Sequence, residues 1–450
     1  MYAPRTTPWP LVALFTAGYL APYLLPTTVG RLERGLDLTP TQAGGVGSLL
    51  LLSSATAGFL LASRVERTGA RTLARLGLVL AAVGYGGAAL TTSVPAVVAG
   101  AVVGGFGSGT ATTVAATRIA AEKDPHRAST LGLLSVSALA GVVYLTVPHL
   151  PGHGLTLAAI ALTALAVWPL TARLPGGTAG TAAQTAVGPA EADGSGAGRL
   201  PYRRSGMVLA GAMLLWSMAQ NALWGVSGRI GVDQARLSEP TVGVVFAVAL
   251  GAGLLGVLGA GALGSRLGRA LPIGGGTVVI ACCIALSASA TGLGSFAFGE
   301  IAWNTFYPVV LSYLIGLAAS LDARGRWAVL VGSASSLGTA AGPLTGSVLS
   351  AQAGFPVMGA VLAVGLLLVA VPMTGVALHA GGRALLPGAV RRRGGHPAAV
   401  VAATTGTPSG AVPEVGAPEQ PVVEIALDGA AVPARGAYDT AAATQAPGGL

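Results

Sequence analysis

Glu300 is the residue best placed to do chemistry. Of the 16 acidic residues in this chain of 450, it alone falls inside an apolar stretch long enough to cross a bilayer, at about 294–318. If that helix begins near residue 295, a rise of about 1.5 Å per residue puts the carboxyl about 8 Å below its outer end. A carboxyl in a low-dielectric span can bind and release a proton as water access alternates between the two faces. Asn304, Tyr307 and Leu311 follow at i+4, i+7 and i+11 and share its helical face, with Trp303 among them. A structural alternative stands beside this reading: Arg229, at the outer end of the stretch 205–228, could hold Glu300 in a permanent ion pair.

Other polar residues lie in similar company. Trp216, Gln220 and Trp224 share one face of 205–228 with Asn221 beside them, and Thr110, Thr113 and Thr117 form a stripe on 94–117. Buried amides and hydroxyls need partners, which a solvated cavity, a bound solute or interhelical bonds would supply. About half of the chain's aromatic residues lie in four stretches. They are Phe15, Tyr19 and Tyr23 in the first, Phe106 in the fourth, Trp216 and Trp224 in the seventh, and six from Phe296 to Tyr313 in the tenth. Such a lining suits a small, partly aromatic or amphiphilic organic solute.

The elements that position these residues are membrane spans. The chain is 52% hydrophobic and only 9% charged, against roughly 25% charged in a soluble domain. Twelve apolar stretches read as transmembrane helices: 9–30, 41–63, 72–92, 94–117, 128–148, 154–173, 205–228, 240–264, 271–291, 294–318, 326–350 and 354–378. With the N-terminus inside, all but four of the 25 basic residues (Arg31, Arg34, Arg229 and Arg236) fall in cytoplasmic segments. That asymmetry places both termini in the cytoplasm and the chain in the plasma (inner) membrane as a multi-pass protein. The Gly/Ala/Thr-rich stretch 175–203 reads as a cytoplasmic linker between an N-terminal six-helix bundle (1–174) and a C-terminal one (204–380). Residues 381–450 read as a disordered cytoplasmic tail.

Composition also excludes chemistries. The net charge of +9 is explained by cytoplasmic arginines facing membrane lipid, so nucleic acid is not expected as a partner. The single lysine, Lys123, lies in no Walker A loop, which excludes a fused P-loop ATPase. Cys282 and Cys283 are adjacent in an apolar run, and His149 and His153 flank a loop without a carboxylate, so no metal and no cofactor is expected. The outer loops are short and hold scattered acids (Glu33, Asp37, Asp233 and Glu239), too few and too dispersed for an enzyme's site. A monomer is expected.

A repeat supports the two-bundle division. The loop after the second helix of the first half reads Ala62-Ser63-Arg64-Val65-Glu66-Arg67-Thr68-Gly69-Ala70-Arg71. Its counterpart in the second half reads Gly261-Ala262-Leu263-Gly264-Ser265-Arg266-Leu267-Gly268-Arg269. Both resemble G-x-x-x-D-R-x-G-R, the motif of the helix 2–3 and 8–9 loops of the major facilitator superfamily. Ala62 stands for the leading glycine, Glu66 for the first aspartate and Ser265 for the second.

The resemblance covers residues 1–380 and implies an all-α fold of twelve helices in two pseudo-symmetric bundles that transports solute by alternating access. It also implies that helices 1, 4, 7 and 10 line the central cavity. The motif residues Glu66, Arg67, Gly69, Arg71, Gly261, Arg266, Gly268 and Arg269 would then gate the cytoplasmic seam through charge-assisted bonds. Gly338–Gly346 resembles G-x-x-x-G-P-x-x-G-G, which antiporters of the family carry in helix 5, whereas helix 5 here (Ser137 to Val142) lacks it. An aromatic cavity with one protonatable acid resembles the drug and metabolite exporters of the family, so proton-coupled efflux is the leading expectation; the missing helix 5 motif keeps proton-coupled uptake beside it.

Overall fold

The computed structural model describes residues 9–122, 124–174, 202–264, 267–322 and 325–380, without the side chains of Glu66 and His126. Among the described residues there is no strand. Span 1 comprises two helices, Trp9–Tyr23 and Leu25–Gly35, bent by 51°. Spans 2 to 6 are Pro40–Leu61, Ala70–Leu90, Val94–Ala120, Pro125–Thr146 and Leu155–Val167, the last continued by a 3-10 turn to Arg173. Span 7 is Arg203–Arg229, prolonged by a π turn at Ile230–Gln234. Spans 8, 9 and 10 are Glu239–Leu263, Ala270–Ala288 and Leu293–Ser320. A final helical run, Arg326–Ala380, has 55 residues, about 80 Å at the helical rise and far more than a bilayer core of about 30 Å. It breaks at Gly354 (φ 79°), just before Phe355-Pro356, into spans 11 and 12. The described residues thus form twelve spans, as the hydropathy pattern predicts. The linker and tail fall outside them, apart from Tyr202 and Arg203.

Helix starts follow local chemistry. Thr39 caps span 2 with a capping box: Gln42 N donates to Thr39 Oγ1 (3.3 Å), Thr39 N donates to Gln42 Oε1 (2.9 Å), and Pro40 opens the helix. Asp124 accepts from Arg127 N (3.1 Å) ahead of Pro125 in span 5, and Ser238 accepts from Thr241 N (3.4 Å) at span 8.

The first span differs from the sequence expectation, which ended it at residue 30 and left Glu33 in an outer loop. Pro22 and Pro26 each remove a backbone donor and bend the helix, and the second segment then continues to Gly35, carrying Arg31, Glu33 and Arg34 on it.

Antiparallel spans give the molecule two ends. One, termed here the linker end, carries Leu174, Tyr202 and the turns at 62–69 and 267–269; the other is the distal end. The N-terminal bundle is closely packed: span 3 lies against span 4 so tightly that a Cβ on Gly84 would collide with the backbone of Gly100 and Gly104. Small residues permit this approach where lipid offers no hydrophobic drive between helices.

Candidate functional site

Spans 7 and 10 run antiparallel and form a ladder of paired side chains. Near the distal end, Glu300 is fully buried. Its Oε1 accepts from Ser227 Oγ of span 7 (2.9 Å) and from Ser287 Oγ of span 9 (2.6 Å). Further along, Trp303 Nε1 donates to Gln220 Oε1. Towards the linker end, Trp216 stacks on Tyr307 with ring centroids 5.3 Å apart and planes within 10°. Trp303 links the layers, lying 5.7 Å from Tyr307 and 5.5 Å from Trp224.

Three polar atoms along this ladder are buried without a hydrogen-bond partner among the described residues: Trp216 Nε1, Gln220 Nε2 and Glu300 Oε2. An unsatisfied buried donor or acceptor costs about 1–3 kcal/mol, so these atoms keep hydrogen-bonding capacity for water or a solute, as do others elsewhere, Thr156 Oγ1 and Thr277 Oγ1 among them. Asn304 and Asn221 are occupied. Asn304 Nδ2 donates to the Glu300 carbonyl (3.0 Å), and Asn221 Nδ2 donates to Ser217 O (2.9 Å) and to Thr339 Oγ1 of span 11 (3.2 Å).

The alternative pairing of Glu300 with Arg229 is not what the structure shows. Arg229 lies two residues beyond Ser227 in span 7, where Nε meets Glu33 Oε2 at 2.8 Å and the guanidinium sits over the Phe355 ring at 5.3 Å. The bend in span 1 brings Glu33 there, which is why a sequence reading that ended the helix at residue 30 missed it.

On the N-terminal side, Phe15 stacks on Tyr19 with centroids 4.9 Å apart, and Tyr19 meets Tyr23 edge-on at 5.7 Å. The threonine stripe is satisfied within its own helix: Thr110, Thr113 and Thr117 donate to the carbonyls of Phe106, Gly109 and Thr113 at 2.7–2.8 Å. Thr110 is fully buried against Gly77 of span 3. Residues outside the four expected spans complete the aromatic cluster. Phe246 of span 8 touches Trp224 (5.3 Å), Phe296 (6.1 Å) and Tyr144 of span 5 (5.1 Å), and Tyr144 Oη donates to Tyr23 O (2.5 Å). Each is the lone aromatic of its span, a signal that was available in the sequence.

The distal seam between the bundles is latched. Pro26 has no N–H for the Pro22 carbonyl, and Trp224 Nε1 reaches across from the other bundle to donate to that oxygen (3.0 Å). Arg31 donates to the carbonyls of Gly152, Val147 and Leu150 at 2.7–3.0 Å and to Glu239 Oε2 (3.1 Å), and Arg34 pairs with Glu239 Oε1 (2.8 Å). Leu344 N donates to Ser48 Oγ (2.9 Å), joining span 11 to span 2. The carbonyls that Arg31 meets belong to its own bundle, whereas the bonds to Glu239, Pro22 O and Ser48 and the Arg229–Glu33 pair cross between bundles towards the distal end, so this state is closed there.

At the linker end, the motif glycines Gly69 (φ 91°) and Gly268 (φ 67°) take backbone angles that disfavour any side chain. Arg71 donates to Leu174 O from Nε (3.1 Å) and Nη2 (2.5 Å), and Arg269 Nη1 donates to Ser320 Oγ (2.5 Å). These bonds tie each loop to its own bundle. Arg67 and Gly261 are exposed, while Arg266 and the Glu66 side chain lie outside the described residues.

Twelve spans in two bundles, latched at one end around an aromatic ladder, define a membrane carrier rather than an enzyme. The sequence matches the model of the Major Facilitator Superfamily over residues 10–320, and the chain belongs to that family of transporters. The crystal structure of the human organic anion transporter MFSD10 (TETRAN) is similar, with a TM-score of 0.60 at 18% identity over 83% of this chain and 100% of that one. So is the nucleoside transporter NupG (D323A mutant), with a TM-score of 0.62 at 12% identity over 82% of this chain and 100% of that one. No curated protein matches the sequence.

Proposed function

We propose that this chain exports a small, partly aromatic or amphiphilic organic compound from the cell in exchange for protons, and that Glu300 carries the coupling. The observation that carries the reading is the Glu300 carboxyl: fully buried in a span, held by two serine hydroxyls, with Oε2 unpartnered and with no ion pair to a cation. Such a group has no structural charge to neutralise and is free to exchange a proton as access alternates. The aromatic ladder supports an organic solute, with Trp216 Nε1 and Gln220 Nε2 offering donors to it and Asn304, Tyr307, Tyr19 and Tyr23 framing it. The solutes named for the two similar structures, an organic anion and a nucleoside, agree with that class.

In this reading residues 1–174 and 204–380 are the two moving bodies, joined by the linker 175–203 and followed by a tail at 381–450. The linker end faces the cytoplasm of the inner membrane, so the distally closed state is inward-facing. The chain works as a monomer. Glu66, Arg67, Arg71, Arg266 and Arg269 gate the cytoplasmic seam when that end closes. Uptake by symport is the second reading, favoured by the missing antiporter motif in span 5.

Proteoliposomes with an imposed pH gradient, screened with a panel of organic solutes, read direction and substrate together. Glu300→Gln should retain downhill exchange and lose accumulation driven by the gradient. Accumulation that still follows pH in that variant rules out Glu300 as the coupling group.

A further inference from the structure

Ser227 has one hydroxyl proton and two acceptors. Its Oγ lies 3.0 Å from Leu223 O, one turn back in span 7, and 2.9 Å from Glu300 Oε1. Ser287 Oγ, by contrast, donates to Oε1 at 2.6 Å. When Glu300 is ionised, both serines donate to Oε1, and Ser227 must turn its proton away from Leu223. When Glu300 is neutral, its own O–H can donate to Ser227 Oγ, and the Ser227 proton returns to Leu223 O. The hydrogen-bond pattern of residues 223–227 therefore differs between the two charge states. That turn holds Trp224, whose N–H latches to Pro22 across the seam, and it ends two residues before Arg229, which pairs with Glu33.

We infer that Ser227 and Ser287 are positioning residues of the proton site: together they set the charge state of Glu300, and Ser227 passes that state to the distal latch. This rests on the reading of Glu300 as the coupling acid. Glu300 is the acid that these two serines touch; Glu33 and Asp233 are the carboxyls that flank Arg229 at the seam itself. Tyr144 of span 5 and Cys283 of span 9 are the electrostatic neighbours of Glu300, and Tyr307 lies two turns along span 10. Arg229 of span 7 is engaged by Glu33, and Glu239 of span 8 by Arg31 and Arg34. Arg326 and His379, the charged or titratable residues of spans 11 and 12, sit at their linker ends.

The test needs no substrate. Infrared difference titration of the purified full-length protein in lipid nanodiscs follows the C=O band of the protonated carboxyl, assigned by its loss in Glu300→Gln. A hydrogen bond to a charged group favours the ionised form, so Ser227→Ala and Ser287→Ala should each move the midpoint up by about one pH unit. Ser227→Thr, which keeps the hydroxyl, should restore the wild-type midpoint. Spin labels on the distal ends of spans 1 and 7 should report a distance that follows pH in the wild type. In Ser287→Ala it should follow at the shifted midpoint, and in Ser227→Ala it should stop following. A titrating band indifferent to both serines, or a Thr variant that shifts as far as the Ala variant, overturns this inference alone. If no band removed by Glu300→Gln titrates, both the inference and the coupling role of Glu300 fall.

Discussion

Span 4 and the pair of spans 7 and 10 satisfy their buried polar side chains in different ways. In the N-terminal bundle the threonines of span 4 bond to their own helix, and glycines bring spans 3 and 4 into backbone contact. In the C-terminal bundle the polar side chains of spans 7 and 10 bond between helices and leave Trp216 Nε1, Gln220 Nε2 and Glu300 Oε2 without partners. Unpartnered buried atoms also occur in the N-terminal bundle, at Arg118 Nε and Thr156 Oγ1, but not along the threonine stripe. In the function proposed above, the C-terminal half carries the chemistry and the closely packed N-terminal half is its rigid partner, the two joined by the latch at Trp224 and Pro22.

The strongest way to break this comparison is to spoil the rigid half. Gly84→Leu would drive a side chain into the backbone of Gly100 and Gly104, where nothing can give, at a cost of about 3 kcal/mol or more. Thermal unfolding followed by size-exclusion chromatography should show little monodisperse protein; a variant as stable as the wild type would mean that spans 3 and 4 are not locked together.

A smaller effect is expected at the latch. Trp224→Phe keeps an aromatic ring against Phe246 but loses the donor to Pro22 O, a net change of about 1 kcal/mol. The ratio of distally closed to distally open molecules should fall about fivefold in spin-label distance distributions. An unchanged ratio would leave the seam to the ion pairs at Arg31, Arg34 and Arg229 and the Leu344–Ser48 bond.

The smallest effect belongs to Thr113→Val. Its hydroxyl already bonds to Gly109 O (2.7 Å), so transport rates should stay within about twofold of wild type. A tenfold loss would bring span 4 into solute binding and dissolve the division of labour.

Much of this was legible in the residues. The twelve spans followed from apolar length, and the two-fold division followed from the loop repeat. Glu300 stood out because any carboxyl inside a span demands an explanation. The face shared by Trp216, Gln220 and Trp224 was expected to line a cavity; the structure turns it towards the side chains of span 10. Glu33 was not legible, because it reaches Arg229 only through the bend at Pro22 and Pro26. Ser227 and Ser287 were hidden for another reason: a serine in an apolar run bonds its own helix by default, and only the packing of spans 7, 9 and 10 turns both towards one carboxylate.

Residue types alone decided which segments lie in lipid and that a carboxyl, Glu300, lies deep within one of them. Both are consequences of transfer free energy, which is a sum over residues and needs no fold to evaluate. The partners of that carboxyl were decided by tertiary structure alone. Arg229 was close enough in topology to claim Glu300, yet it pairs with Glu33 at 2.8 Å while two serines hold Glu300. Pairing depends on distances of a few ångströms between helices far apart in the chain, and those distances exist only once the bundles have packed.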